Sequence, residues 1–164
     1  MRNSEVKYWL ISDTHFGHGK LVKKGLKSVN EDHEVLVSIL RIVQSDDVLI
    51  HLGDVSFYNN SHWHDILRKF WIGKMILVRG NHDRKSLSWY YSYGWDFVCD
   101  EFKLNIYGKN LIFTHEPIDI NYTDADINIH GHLHNDEHRE KYVQTDHTRL
   151  VYNKITNLRK LVGK

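Results

Sequence analysis

Short apolar runs alternate with segments of helical period through the first half of the chain. The runs Val6 to Ser12, Asp47 to Leu52 and Met75 to Arg79 are rich in branched and aromatic residues, which predicts three strands. Between them, Glu31 to Gln44 and Trp63 to Phe70 carry apolar residues at spacings of three and four, which predicts two amphipathic helices. This β-α-β-α-β order predicts a parallel or mixed sheet with helices on its faces.

The pattern changes after Gly94, where strand-like runs follow one another closely. Before it, Lys85 to Tyr93 is predicted to form a short helix. The later predicted strands are Trp95 to Cys99, Glu101 to Tyr107, Leu111 to Thr114, Asp126 to His130, Tyr142 to Thr145 and Arg149 to Ile155. We expect a hairpin turn at Gly108, Lys109 and Asn110. The sequence therefore predicts one domain over 1–164, an α/β/β/α sandwich of two mixed sheets flanked by helices.

Composition favours a folded protein without a dominant charge. Of 164 residues, 41% are hydrophobic and 12% aromatic, and the formal net charge is +1, so no global field favours nucleic acid or a membrane. The single cysteine, Cys99, cannot form an internal disulfide, and no run reaches the length of a membrane span. We therefore expect a soluble, cytoplasmic protein. The 13 histidines exceed what this length leads one to expect, and histidine is a common metal ligand and acid–base group.

Polar side chains follow five predicted strands at their carboxyl ends, the edge at which open α/β sheets bind ligands. The clusters are Ser12-Asp13-Thr14-His15, Gly53-Asp54, Gly80-Asn81-His82-Asp83, Thr114-His115 and His130-Gly131-His132-Leu133-His134. The candidate metal ligands among them are Asp13, His15, Asp54, Asn81, His115, His132 and His134. Oxygen ligands mixed with imidazoles suit Mn, Fe, Zn or Co better than Ca or Mg. Seven ligands suit two neighbouring ions that share a carboxylate, an arrangement that clamps both oxygens of a displacement at phosphorus.

In order and spacing, these clusters resemble those of the calcineurin-like metallophosphoesterases, from about Val6 to Asn153. The opening Ser-Asp-Thr-His-Phe-Gly-His is most similar to that of small uncapped bacterial and phage members. The resemblance implies the calcineurin-like phosphoesterase fold and two divalent ions, with Mn²⁺ favoured and Fe, Zn²⁺ or Co²⁺ as alternatives. It assigns Asp13, His15 and His134 to the first ion, Asn81, His115 and His132 to the second, and Asp54 to a bridge between them.

The resemblance also implies a catalytic group that does not bind metal. His82 would face the substrate and stabilise a phosphoryl oxygen or protonate the leaving oxygen, with Asp83 orienting its ring and a metal-bound hydroxide as the nucleophile. His18 lies three residues beyond His15 on a glycine-rich loop and is a further catalytic candidate. A solvent-exposed loop position is the alternative for His18.

The predicted activity is hydrolysis of a phosphodiester, with a nucleotide-type or cyclic nucleotide substrate favoured. Val55-Ser56-Phe57-Tyr58 follows Asp54 where phosphoprotein phosphatases of this superfamily supply an arginine, which argues against that activity. A nuclease or a phosphomonoesterase with the same site is the alternative among enzymes, so nucleic acid is a candidate substrate. A protein-interaction scaffold is the alternative of another class. No membrane partner is expected, and the oligomeric state is left open.

Four cations follow the first cluster, namely Lys20, Lys23, Lys24 and Lys27. A solvated loop is the default interpretation of these lysines, and steering of an anionic substrate is the alternative. Among the remaining histidines, His51 and His130 precede the glycines of two clusters and are expected to be buried and hydrogen-bonded. His62 and His64, at the start of a predicted helix, are expected at the surface.

Overall fold

The computed structural model describes residues 5–25, 27–28, 30–42, 44–133, 148–152 and 154–163. The strands within these ranges are β1 (Tyr8–Ile11), β2 (Val48–His51), β3 (Lys74–Val78), β4 (Phe97–Cys99), β5 (Glu101–Ile106), β6 (Lys109–Thr114), β7 (Ile127–His130), β8 (Thr148–Leu150) and β9 (Thr156–Asn157). The α-helices are α1 (Gly19–Lys23), α2 (Glu31–Leu40), α3 (Ser61–Phe70), α4 (Leu87–Ser92) and α5 (Leu158–Val162). None of these helices is long and apolar enough to cross a membrane.

The first sheet has the strand order β4-β3-β2-β1-β9. Strands β1 to β4 run parallel, and β9 is antiparallel to β1. The register pairs Ile11 with His51 and His51 with Leu77, so the first three strands end at nearly the same level. Because parallel strands share one carboxyl edge, the loops that follow β1, β2 and β3 leave the sheet side by side.

The second sheet has the order β5-β6-β7-β8. Strands β5 and β6 form an antiparallel hairpin, whereas β6, β7 and β8 run parallel. Phe113 pairs with Ile129, so β6 and β7 also end together. The predicted fold of two mixed sheets flanked by helices is confirmed.

Alternating side chains along the first sheet contribute to two cores. Ile11 and Leu49 point to one face, where they pack with α2, α3 and α4, and their neighbours Leu10 and Ile50 point to the other. The second core contains residues of both sheets, including Phe113. Each buried apolar side chain of this size stabilises the fold by roughly 1.5–3 kcal/mol. Packing of the sheets through this core brings their carboxyl edges together.

Several element bounds differ from the sequence-based expectation. The hairpin turn was predicted at Gly108 to Asn110, but the register pairs Ile106 with Lys109, so Tyr107 and Gly108 form the turn. Both have positive φ angles, of 55° and 72°, which is the geometry that matches the twist of a two-residue hairpin. Helix α1 lies in the segment expected to be a loop, and α2 ends at Leu40. The strand predicted at Tyr142 to Thr145 lies outside the described residues.

His64 is buried, which corrects the expectation that it lies at the surface; His62 is exposed as expected. The indole N–H of Trp95 donates to Nδ1 of His64 at 3.0 Å, so the proton is on Nε2, which lies 3.2 Å from the hydroxyl of Ser56. The ring is also surrounded by the aromatic side chains of α4. The three-residue spacing between His64 and the buried Leu67 is the sequence signal that places both on one helix face.

Replacing His64 by Gln should reduce the acid sensitivity of folding. Burial lowers the pKa of His64 to about 4 from 6.5. Between these two pH values, His64 therefore binds a proton in the unfolded chain but not in the folded protein. The stability that a neutral His64 permits is therefore present at neutral pH and lost as the pH falls from about 6.5 towards 4. Between about pH 7.5 and about pH 5, the wild type should lose about 2 kcal/mol more free energy of unfolding than His64→Gln. Urea unfolding at both pH values measures this, and parallel pH profiles would contradict it.

Candidate metal centre

The loops that follow β1 and β2 are joined along their backbones. The amides of Asp13, His15 and Phe16 donate to the carbonyls of Gly53, Asp54 and Val55, each at 3.0 Å. These bonds extend the parallel pairing of the two strands beyond the sheet. The first two candidate clusters therefore form one rigid unit.

Glycines allow the neighbouring loops to approach this unit. A Cβ at Gly53 would lie 2.5 Å from the backbone nitrogen of Gly80 and 2.6 Å from Nδ1 of His115. A Cβ at Gly131 would collide with the hydroxyl of Ser12 and lie 2.5 Å from Oδ2 of Asp13. Because no side chain fits in either gap, the loops of both sheets meet directly at this edge.

The backbone at four candidate ligands is in the left-handed region. The φ angles are 54° at Asp13, 40° at His15, 57° at Asp54 and 66° at His132. For residues with a Cβ this conformation costs on the order of 1 kcal/mol or more each. Four such residues around one point indicate that the fold maintains strained backbone to aim these side chains inward.

The carboxylate of Asp54 lies at the centre of the cluster. Its Oδ2 atom is 3.6 Å from Nε2 of His15, 3.6 Å from Nε2 of His115 and 3.9 Å from Nε2 of His82. Its Oδ1 atom accepts a hydrogen bond from the amide of His82 at 2.9 Å, which fixes the plane of the carboxylate. One oxygen of Asp54 therefore faces imidazoles from both sheets.

On one side of Asp54, three ligand atoms converge. Asp13, His15 and Asp54 are buried and each offers one atom, and these atoms lie within 4.8 Å of one another. The other oxygen of Asp13 accepts a hydrogen bond from the amide of His132 at 2.9 Å, which ties the loop after β7 to this group. Two carboxylates and an imidazole at this spacing match the donor set of a divalent transition-metal ion.

A second group of polar atoms meets around His115. Nδ1 of His115 lies 2.6 Å from the carbonyl of Leu52 and must donate to it, so the neutral ring carries its electron pair on Nε2. That Nε2 is 3.1 Å from Oδ1 of Asn81 and 3.1 Å from Nδ1 of His132. With Oδ2 of Asp54 also nearby, a cation between these atoms would satisfy them. The residues therefore fit a second metal site.

Asp83 does not orient the ring of His82, contrary to the expectation from the sequence. Its buried carboxylate accepts hydrogen bonds from the amides of Asp54 at 2.7 Å, Gly80 at 2.9 Å and Val55 at 3.3 Å. These bonds use both carboxylate oxygens on backbone groups. Burial raises the pKa of Asp83 to about 6 despite these bonds, with the nearby Asp54 charge adding to the effect. Asp83 therefore connects the loop after β3 to the loop after β2.

Lys27 is also a structural group, which removes it from the proposed steering cluster. Its side chain is buried, and its ammonium donates to the carbonyls of Thr14 at 2.7 Å and His15 at 3.0 Å. It also forms an ion pair with Asp32, whose carboxylate accepts from the amide of Gly17 at 3.0 Å. The pair thus holds the strained loop that carries His15. Lys20, Lys23 and Lys24 are exposed, so the steering alternative stays a prediction for these three.

His51 is fully buried and hydrogen-bonded, as expected. The amide of Gly53 donates to its Nδ1 at 3.2 Å, so Nε2 carries the proton towards Oγ1 of Thr14, 3.0 Å away. Thr14 in turn donates to the carbonyl of Val55 at 2.7 Å. Burial lowers the pKa of His51 to about 3, which keeps the ring neutral. His51 thereby fixes the spacing of the first two loops.

The remaining candidates lie around this centre. His18 is half-buried, its ring is 6.1 Å from that of His15 and 3.9 Å from that of Phe57, and burial lowers its pKa. His130 is buried, and its Nδ1 donates to the carbonyl of Gly131 at 2.9 Å. His134, predicted as a ligand of the first ion, lies outside the described residues.

The family model described as the calcineurin-like phosphoesterase superfamily domain matches residues 6–153. The chain belongs to this superfamily. It is also 31% identical over 144 residues to the uncharacterized protein MJ1445 of Methanocaldococcus jannaschii, covering 83% of this chain and 73% of that protein. Members of the superfamily are metal-dependent phosphoesterases, which agrees with the ligand sets around Asp54.

Solved structures of low identity share the fold. The protein of unknown function AQ665 from Aquifex aeolicus is 22% identical, with a TM-score of 0.74 over 95% of this chain and 97% of its own. An archaeal phosphodiesterase is 19% identical, with a TM-score of 0.50 over 90% and 82% of the two chains. The Pseudomonas putida nuclease MPE is 23% identical, with a TM-score of 0.51 over 77% and 61%. At these sequence identities, the similarity shows a shared fold alone.

Replacing Lys27 by Met should destabilise the protein and weaken metal binding together. The substitution leaves two backbone carbonyls and Asp32 without their cation, which should lower the free energy of unfolding by about 2–3 kcal/mol. Relaxation of the loop that carries His15 should also reduce Mn²⁺ affinity. Urea unfolding and calorimetric Mn²⁺ titration measure the two effects. Lys20→Met, on the exposed surface of α1, is the matched control, and equal behaviour of the two variants would refute this role.

Proposed function

We propose that this protein is a two-metal phosphodiesterase that acts on nucleotide-type substrates. The observation that supports this most strongly is the position of Oδ2 of Asp54, 3.6 Å from Nε2 of both His15 and His115. An oxygen that faces one imidazole from each sheet suits a ligand shared by two ions. Paired ions about 3.5–4 Å apart that share a ligand are typical of centres that carry out displacement at phosphorus.

In this proposal, each of the two ions takes ligands from both sheets. Asp13 and His15 hold the first ion beside Asp54, and the resemblance adds His134. Asn81, His115 and His132 hold the second ion. Mn²⁺ is favoured, with Fe, Zn²⁺ or Co²⁺ as alternatives, because the set combines carboxylate and amide oxygens with imidazoles. When bound, such a pair activates water and neutralises charge on the phosphoryl oxygens.

The residues of the chain then position the substrate. The side chain of His82 is 54% exposed, and its ring is 5.6 Å from that of His15. A phosphate seated over Asp54 would be within reach of this imidazole, which would donate a proton to the leaving oxygen. Its backbone amide remains bonded to Asp54, so the turn that carries His82 is fixed relative to the ligands.

A diester is favoured over a monoester by the open surroundings of His82 and by the activities of two proteins that share the fold. One of these is the archaeal phosphodiesterase and the other is the nuclease MPE. A nuclease or a phosphomonoesterase with the same site is the alternative among enzymes. A scaffold role is disfavoured because the described ligands converge at one point with His82 beside them.

Substitution of the adjacent residues Asn81 and His82 should separate metal binding from turnover. With Mn²⁺ and bis(p-nitrophenyl) phosphate, His82→Ala should lower kcat by roughly 10²–10⁴-fold with unchanged metal content, because it removes a proton donor. Asn81→Ala should act mainly by lowering Mn²⁺ affinity, since it removes a proposed ligand.

Steady-state kinetics and metal analysis of the same preparations measure both effects, with the exposed His62→Ala as control. Hydrolysis of phosphomonoesters with diesters untouched would contradict the diester assignment. Full turnover by His82→Ala would contradict its role at the leaving group.

A further inference from the structure

A second recognition surface adjoins the proposed centre. Phe57, Tyr58, His82, Arg84 and Lys85 line an open cavity of about 470 Å³, a volume within the range of pockets that hold small ligands. His82 is thus shared between the proposed catalytic group and this cavity. A substituent on the phosphate bound at the centre would extend into it.

One wall of the cavity is an aromatic ledge formed by Phe57 and Tyr58. Their ring centroids are 4.0 Å apart with the ring planes at 46°, and the ring of His18 lies 3.9 Å from that of Phe57. Tyr58 is 78% exposed, so its ring contributes little burial energy to folding. Its φ angle of 56° is in the left-handed region, which is unfavourable for a bulky residue. An exposed aromatic residue on strained backbone beside a reactive centre is the kind of feature that ligand binding explains.

Buried contacts hold the ledge in place before any ligand binds. The amide of Phe57 donates to the carbonyl of Phe16 at 2.9 Å, and Phe16 pairs with Ser56 in an isolated bridge. The hydroxyl of Ser56 is bonded to the buried His64. A surface fixed in this way loses little conformational entropy when it binds a flat ring.

Two cations form the other side of the cavity. Arg84 and Lys85 are exposed, and within the described residues neither forms an ion pair with a carboxylate. The Nε atom of Arg84 donates to the carbonyl of Asn81 at 2.8 Å, and the ammonium of Lys85 lies 5.8 Å from the centroid of Trp89. Both side chains are therefore held near the cavity with their charge available to an anion.

We infer that this cavity binds the nucleotide next to the scissile phosphate of a single-stranded oligonucleotide. The base stacks on the exposed ring of Tyr58 beside Phe57, and the following phosphate lies at Arg84 and Lys85. Aromatic rings and cations along one groove are the features with which proteins bind single strands without reading sequence. A base paired in a duplex would not be free to reach the ledge. This inference rests on the proposed phosphodiesterase activity and specifies its substrate.

The test uses the full chain with two variants and two matched controls. Tyr58→Asn removes the ring but tolerates left-handed backbone, so it separates stacking from strain. Lys85→Gln removes a cation without touching the loop contact of Arg84. Tyr122→Ala, at an 89% exposed tyrosine outside the cavity, and Lys69→Gln, on the exposed face of α3, are the controls.

Two measurements are made on each protein. Fluorescence anisotropy with a labelled oligothymidylate in EDTA gives the Kd without turnover. Kinetics with Mn²⁺ give the ratio of kcat/KM for the oligonucleotide to that for methyl p-nitrophenyl phosphate, which has neither a base nor a second phosphate. Tyr58→Asn should raise the Kd about tenfold and lower the ratio about tenfold. Lys85→Gln should change both quantities in the same directions by about threefold at low salt. Both controls should stay within about twofold of the wild type.

Each outcome bears on one of the two claims. If the small diester is hydrolysed, and Tyr58→Asn and Lys85→Gln both keep the wild-type Kd and the wild-type ratio, the oligonucleotide site is overturned. The phosphodiesterase proposal then stays intact. Absence of hydrolysis of either diester, with binding that still depends on Tyr58, would overturn the proposed activity and support the site. Equal loss in the variants and their controls would overturn the site.

Discussion

The strained backbone around the carboxylate of Asp54 is the constraint on which the rest of the site depends. Asp13, His15, Asp54 and His132 all have positive φ angles, and they are candidate ligands that come from the loops of two sheets. Such a conformation persists only where surrounding contacts determine it. The register of the parallel strands supplies the first of these contacts, because it ends β1, β2 and β3 at one level and lets the following loops bond to each other.

Buried polar groups supply the remaining support. Lys27 and Asp32 hold the first loop, His51 and Thr14 fix its distance from the second, and Asp83 connects the second to the third. Each of these groups makes at least one hydrogen bond to the backbone of the loops that carry the candidate ligands. The centre is therefore preorganised by elements outside its ligand set, which is the condition under which a metal site keeps its geometry during turnover.

The sequence predicts the fold, and it predicts which polar clusters lie at the carboxyl ends of the strands, because both depend on repeating patterns. Apolar runs mark the strands, and glycine followed by Asp, Asn or His marks their carboxyl ends. The roles of Lys27 and Asp83 could not be predicted, because a side chain that bonds to backbone leaves no periodic signal. His64 could have been placed from its spacing to Leu67. The hairpin turn was predicted one residue too late in the chain. The reason is that Tyr107, a residue uncommon at positive φ, occupies a position where Asn or Gly is usual.

The central claim is that Asp54 joins two ions, and diffraction from Mn²⁺-loaded crystals at the manganese absorption edge tests it most directly. We expect two anomalous peaks about 3.5–4 Å apart, both within bonding distance of Asp54. One peak should lie beside His15 and the other beside His115. A single peak under saturating Mn²⁺, or two peaks without a shared Asp54 carboxylate, would contradict the account.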